Sequence, residues 1–324
     1  MKIRIVFKWI VFFVLGVILL TVGGAFAYEQ ISRIIAERNY LPEGKLVDVG
    51  GHNLHVYREG SSSLTVIFES GMDPFGHLSW FKVQETIAQS ATTVSYDRAG
   101  ILWSERGDRP KSSQSITDDL TKLLTKGDYP KPYIVVGHSL AGITLRRFIE
   151  THKDDIGGIV LVDVSHPDQA ILRPPKIPPR MLMGLMSSFG LLRLTSARQM
   201  PNTEPTDLIN LAAPSLIHKS VSGMFDEAAA VAQLSIEARE ISSFGGIPLI
   251  VISATSFSGN GASSENESFQ LRTKMQQDLL SLSTDSRQIL AGKSTHYVQL
   301  EEPDIVIDAI ESLIARVVEV LRGH

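Results

Sequence analysis

From residue 45 onward the chain alternates short apolar runs with longer amphipathic stretches. The runs LTVIFES (64–70), TTVSYD (92–97), YIVVG (133–137), GIVLVDV (158–164), PLIVISA (248–254) and SRQILAG (286–292) are rich in β-branched and apolar residues, as in strands buried on both faces. Ahead of them, LVDVGGHNLHVYREG alternates apolar and polar positions on either side of Gly50-Gly51, which predicts a hairpin. Helical patterns or long connections separate most of the runs; one pattern sets Leu140, Ile143, Leu145 and Phe148 among Arg146 and Arg147. Strands separated by helices predict a mostly parallel central sheet, flanked by helices and built with right-handed crossovers. Ligands of such sheets bind at the carboxyl ends of the strands.

The stretch between the runs ending at 164 and starting at 248 is too long for a connection. RPPKIPPR (173–180) precedes two apolar-rich stretches, MLMGLMSSFGLLRL and DEAAAVAQLSIEARE, which read as helices of a cap inserted at about 167–245. Met181, Met183 and Met186 either line a lipophilic pocket or pack the cap on the core, and helical spacing favours packing. SFSGNGASSENES (256–268) is the low-complexity segment, a loop by composition, and carries an Asn266-Glu267-Ser268 sequon.

Before residue 45 the pattern changes. Lys2, Arg4 and Lys8 precede WIVFFVLGVILLTVGGAFA, Trp9 to Ala27, a charge-free run of 19 residues close to the roughly 20 that cross a bilayer as a helix. The basic flank predicts a single pass with the remainder on the extracytoplasmic side. Ala25-Phe26-Ala27 also reads as a signal-peptide cleavage site, the alternative being export after processing. Residues 1–28 are thus an anchor or signal segment, 29–44 a linker helix that continues it, and 45–324 the main domain.

At 324 residues and 43% hydrophobic, the chain suits one large domain with an insertion. Its 31 basic and 35 acidic residues give −4, with no basic stripe, so no nucleic-acid partner is expected. The lack of cysteine excludes disulfides, thiolate nucleophiles and cysteine-based metal sites. The nine histidines form no H-x-x-x-H pair on a credible helix, so no metal is expected.

In YIVVGHSLAGITLRRF, Ser139 falls in the turn between a strand and a helix, which presents the hydroxyl at a strained backbone position beside N–H groups of a helix N-terminus. A serine hydroxyl needs a base, a carboxylate that orients the base, and N–H donors for the oxyanion. His296, in the loop after the last strand run and before a helix starting near Pro303, is placed to be that base. His55, His138 and His166 suit structural or peripheral roles. Gly71 in ESGMDPFG lets the backbone approach a substrate, so the N–H groups of Met72 and Leu140 are the expected oxyanion donors. Asp97 and Arg98 read as a structural pair holding the turn after their strand.

Together, ESG (69–71), YDRAG (96–100), GHSLAG (137–142), LVDVSHPDQ (161–169) and THYVQLEEP (295–303) resemble the α/β-hydrolase superfamily, in particular bacterial serine hydrolases, over roughly residues 45–324. Two departures stand out. Ala141 occupies the place of the elbow's usual last glycine, and YDRAG continues as ILWS. In most of the superfamily the acid follows the strand that here is PLIVISA, but its loop offers only Glu265 and Glu267, both late. Asp163, 24 residues beyond Ser139 at the end of the preceding strand, is favoured, because a strand end fixes a carboxylate better than a Ser/Gly-rich loop. The resemblance implies a cofactor-free carboxylesterase or lipase-like hydrolase acting on a lipophilic small-molecule ester, less readily an amide, through Ser139, His296 and Asp163. A lyase or C–C hydrolase using the same residues, or a binding protein that has lost turnover, are the alternatives.

Overall fold

In the computed structural model, residues 2–172, 177–196, 208–256 and 267–323 are described, and among them eight strands form one sheet. These are β1 (Lys45–Asp48), β2 (Asn53–Glu59), β3 (Thr65–Glu69), β4 (Thr92–Tyr96), β5 (Tyr133–His138), β6 (Ile156–Val162), β7 (Leu249–Ala254) and β8 (Ser286–Ala291), in the order β1-β2-β4-β3-β5-β6-β7-β8. The hairpin β1–β2 pairs Asp48 with Asn53 across its turn, and β2 meets β4 antiparallel. From β4 to β8 every pairing is parallel, as the alternating pattern predicts.

The helices are α1 (Lys2–Asn39), α2 (Phe81–Ile87), α3 (Ser113–Gly127), α4 (Ala141–Thr151), α5 (Pro167–Leu172), α6 (Arg180–Ser188), α7 (Leu191–Ser196), α8 (Leu208–Arg239), α9 (Glu267–Asp278), α10 (Val298–Glu301) and α11 (Pro303–Arg322). Successive strand side chains point to opposite faces of the sheet, so each strand feeds two cores. Val66 and Phe68 of β3 pack with Val83 and Ile87 of α2 and with α11. Ile67, between them, packs with Leu120 and Leu123 of α3 and Leu145 and Phe148 of α4. On α11 the buried residues Val306, Ala309, Ile310, Leu313, Ile314 and Val317 fall at i, i+3, i+4, i+7, i+8 and i+11, one apolar stripe laid on the sheet. Truncating one of these, Leu313→Ala, would cost about 2–5 kcal/mol.

The segment between β6 and β7 holds α5 to α8. It differs from the sequence pattern in two ways. The stretch 181–194 is two helices, broken where Gly190 adopts φ 75°. The final helix starts at Leu208 and runs through Pro214, far ahead of the predicted start, because its first turns bury Ile209, Ala212 and Leu216 against Phe75, Leu78 and Ile101. Tertiary burial there outweighs the proline's cost. Further along, Val231, Leu234 and Ala238 of α8 cover Leu140 and Ile143, the first turn of the helix after Ser139. The methionines do not line a pocket with Ser139: Met181 is exposed, and Met183 and Met186 are half-buried.

Candidate active site

Ser139 stands between β5 and α4 with φ 53°, a left-handed conformation that a non-glycine residue adopts only under constraint. The constraint is a pair of hydrogen bonds to its carbonyl, from the N–H groups of Ser165 (2.7 Å) and Gly142 (3.1 Å). The departure at Ala141 is accommodated in the strand: a methyl on Gly137 would lie 2.7 Å from Cβ of Ala141, so the bare glycine makes room for it.

The structure brings three of the expected residues together. Nε2 of His296 lies 2.8 Å from Oγ of Ser139, and Nδ1 lies 2.6 Å from Oδ2 of Asp163. Asp163 follows β6, has φ 45° and is buried, whereas the imidazole of His296 is 44% exposed. Burial acts to raise the Asp163 pKa, but the His296 hydrogen bond and the charge of Arg272 outweigh it and hold the carboxylate below its usual range. An ionised carboxylate only accepts, so Nδ1 carries the imidazole proton and Nε2 is free to accept from the serine hydroxyl. Glu267 is exposed at the start of α9, and Glu265 lies outside the described residues.

Several supporting groups escaped the sequence reading. Arg272 of α9 forms an ion pair with Asp163 on the oxygen that faces His296, while the other oxygen accepts from the Ala254 N–H at 3.0 Å. The loop carrying His296 is held from α10 and the residue after it. Glu302 accepts from the N–H groups of Lys293 and Ser294 (2.9 and 2.7 Å), and Glu301 from that of Thr295 (2.6 Å). This gives the EEP of the sequence a physical role. His138 is buried, with Nε2 2.8 Å from the His296 carbonyl and its ring 4.6 Å from the His296 ring. Burial, then the neighbouring His296, push its pKa down to about 3, so it is a neutral donor to that carbonyl.

Asp97 and Arg98 do not pair with each other in the way the sequence suggested. The Arg98 guanidinium donates to the carbonyls of Ser70 (2.5 Å) and Gly71 (2.7 Å) and, through Nε and Nη2, to Glu227 of α8 (2.7 and 3.0 Å). It therefore fixes the turn after β3, and because the Gly71 carbonyl faces Arg98, the Met72 N–H across the same trans peptide points away from it. That turn lies against the serine: a methyl on Gly71 would sit 2.9 Å from Cβ of Ser139. Leu140, the second expected donor, begins the first turn of α4. Beside them Asp73 is buried, with Oδ1 accepting from the Phe75 N–H (2.9 Å) and Oδ2 without a partner among the described residues; burial raises its pKa to about 6.

A cavity of about 350 Å³ opens over this group, lined by Ser139, Asp163, Gln169, Arg272 and His296. Elsewhere His55, His77 and Asp97 bring ligand-type atoms within 4.8 Å of one another. They do not fit a metal. Nδ1 of each imidazole is spent on Asp97 (3.0 and 2.9 Å), and Nε2 of His55 faces the Glu43 carbonyl at 2.5 Å. Both nitrogens of His55 thus face acceptors, and its pKa is raised against the effect of burial, chiefly by Asp97. His166 pairs with Asp278 instead, its Nε2 3.0 Å from that carboxylate.

Residues 66–230 match the family described as alpha/beta hydrolase fold. The uncharacterized protein YqjL of Bacillus subtilis (strain 168) is 25% identical over 274 residues, 82% of this chain and 90% of that one. A shorter stretch of 130 residues, 37% of this chain, is 32% identical to the probable transporter efuK of Hormonema carpetanum but spans only 18% of that protein. Among solved structures, a thermophilic esterase from Thermogutta terrifontis superimposes with a TM-score of 0.63 at 15% identity, over 85% of this chain and 99% of that one. The epoxide hydrolase CorEH superimposes with a TM-score of 0.64 at 17% identity, over 84% and 98%. At such identities the two structures speak for the fold alone.

Proposed function

Because the chain belongs to the alpha/beta hydrolase fold family, we propose that it is a serine hydrolase that cleaves a carboxylic ester through an acyl-enzyme. The observation that carries this reading is the unbroken hydrogen-bond chain from Ser139 through His296 to Asp163 at the wall of a cavity. Oγ of Ser139 attacks the ester carbonyl as Nε2 of His296 takes its proton, and buried Asp163 stabilises the imidazolium that forms. The Met72 and Leu140 N–H groups hold the negative oxygen of the tetrahedral intermediate. His296 then protonates the departing alcohol, and water, activated by the same imidazole, releases the acid. Epoxide opening on this fold proceeds through an aspartate nucleophile, and the elbow here carries serine.

Residues 1–28 act as a retained anchor in this reading, with the catalytic domain on the extracytoplasmic side. Two features support it. The apolar window of α1 is not covered by any part of the described chain. The same helix runs without a break past Ala27 to Asn39, where Ala36 is buried against Phe75, Leu78 and α8.

Turnover of a short p-nitrophenyl ester by the Ser139→Ala and His296→Ala chains tests the assignment. Each should lose about 10⁴-fold or more while the circular dichroism of wild type is kept. A rate near wild type in either variant would overturn it.

A further inference from the structure

The α6–α7 turn is fastened to α1 at the last residues of its apolar run and just beyond it. The Phe26 and Phe189 rings meet edge to face at 5.9 Å. Two turns on, Arg33 donates to the Ser187 hydroxyl (3.0 Å) and carbonyl. Buried Glu29 receives Arg33 (2.9 Å) from its own helix and Arg193 (3.2 Å) from α7. The run from Trp9 to Ala27 spans about 28 Å as a helix, close to the thickness of a bilayer's hydrocarbon core, and exposed Trp9 and Tyr28 mark its ends as interfacial aromatic residues do. The α6–α7 turn is therefore held at the level where hydrocarbon gives way to headgroups.

At that level the two short helices leave large apolar side chains uncovered. On α6 these are Met181, Leu182 and Leu185, at the spacing of one helix face, with Met181 78% exposed; on α7 they are Leu191 and Leu194, three apart. They are clustered on two short helices next to the exposed apolar run of α1, which the Phe26–Phe189 contact adjoins, and are not isolated exposed leucines.

We propose that α6 and α7 dock into the outer leaflet of the bilayer beside α1, lying in the interface plane with these side chains among the acyl chains. The proposal rests on the reading of α1 as a retained span. The occupant is lipid because the patch adjoins, through Phe26 and Phe189, a helix whose apolar window is uncovered. The docking also sets the domain's orientation, since α1 packs on α8 through Ala36 and is joined to it by the Glu37–His218 pair at 2.9 Å. The same insertion also contributes Gln169 of α5 to the lining of the Ser139 cavity.

The chain's lack of cysteine makes the test direct. Leu185→Cys, Leu194→Cys and, within the span, Leu20→Cys are each made in the full chain, labelled with an environment-sensitive fluorophore and reconstituted in phosphatidylcholine vesicles. All three probes should be quenched at least threefold more by a shallow spin-labelled lipid than by aqueous iodide. If Leu20 behaves so while Leu185 and Leu194 are quenched by iodide, the span stands and the docking is overturned. Shielding of 185 and 194 from both quenchers would assign the patch to a second copy and overturn it equally. Iodide quenching at Leu20 would refute the span and the docking together.

Discussion

Two buried aspartates in this fold each bind the Nδ1 side of a histidine at the carboxyl end of a parallel strand, and only one of them leads on through its histidine to a serine hydroxyl. Asp97, after β4, accepts from His55 and His77 at 3.0 and 2.9 Å and from the His77 N–H at 2.8 Å. The far nitrogen of His55 is closed off by the Glu43 carbonyl, and the ring has no exposed surface. Asp163, after β6, accepts from one histidine, whose far nitrogen meets a serine hydroxyl and whose ring is open to a cavity. An Asp–His pair is thus not by itself a catalytic unit. It becomes one when one imidazole nitrogen is fixed and the other is left free to exchange a proton with something that reacts.

The largest expected effects separate these two aspartates by the kind of damage they do. Asp163→Asn should lower turnover by about 10⁴-fold through the wrong imidazole tautomer. Asp97→Asn should instead unfold the protein more easily, by about 3–5 kcal/mol in denaturant titration, because the amide keeps one acceptor oxygen but turns an NH2 donor toward the other buried imidazole and removes the charge that both face. The fraction that remains folded should turn over ester at nearly the wild-type rate. A catalytic defect in folded Asp97→Asn of the size seen for Asp163→Asn would erase the distinction.

Asp73 supplies an intermediate case, a buried carboxyl whose Oδ2 has no hydrogen-bond partner among the described residues. Its pKa is near 6 in the folded chain against 3.8 for the free side chain, so the folded state holds the extra proton between those values. Stability accordingly falls as pH rises through that window. Asp73→Asn, which keeps the acceptor for Phe75, should leave stability unchanged below pH 4 and raise it by on the order of 1–3 kcal/mol at pH 8. Thermal melts at the two pH values measure this, and a gain confined to low pH would contradict it. The smallest effect belongs to Glu267→Gln. With its carboxylate exposed on α9 and Asp163 already against His296, ester turnover should change less than twofold; a dead variant would move the acid to that helix.

The strands were legible because each is a short apolar run buried on both faces, which leaves a pattern along the chain that needs no partner to be read. Ser139 and His296 were legible for a related reason: turns at strand ends are marked by glycine and by the switch from strand to helix periodicity. Asp163 could be favoured over the glutamates from its place at a strand end. What was hidden is what the tertiary fold alone creates. Arg98 sits next to Asp97 in the chain, yet its guanidinium reaches back to Ser70 and Gly71 and across to Glu227, 129 positions away. Arg272 lies in a stretch without apolar periodicity, and only the packing of α9 brings it to Asp163. The start of α8 was concealed by Pro214, a helix breaker overruled by the burial of its neighbours.

The central claim, that Ser139 is a nucleophile activated by His296, is tested most directly by a fluorophosphonate probe. The probe is applied to the full-length chain and to its His296→Ala variant, and the modified peptide is then mapped. About one equivalent of label is expected on Ser139 in the wild-type chain and little in the variant at the same time point. Label on another residue, none in folded wild-type protein, or equal labelling of Ser139 without His296 would contradict it.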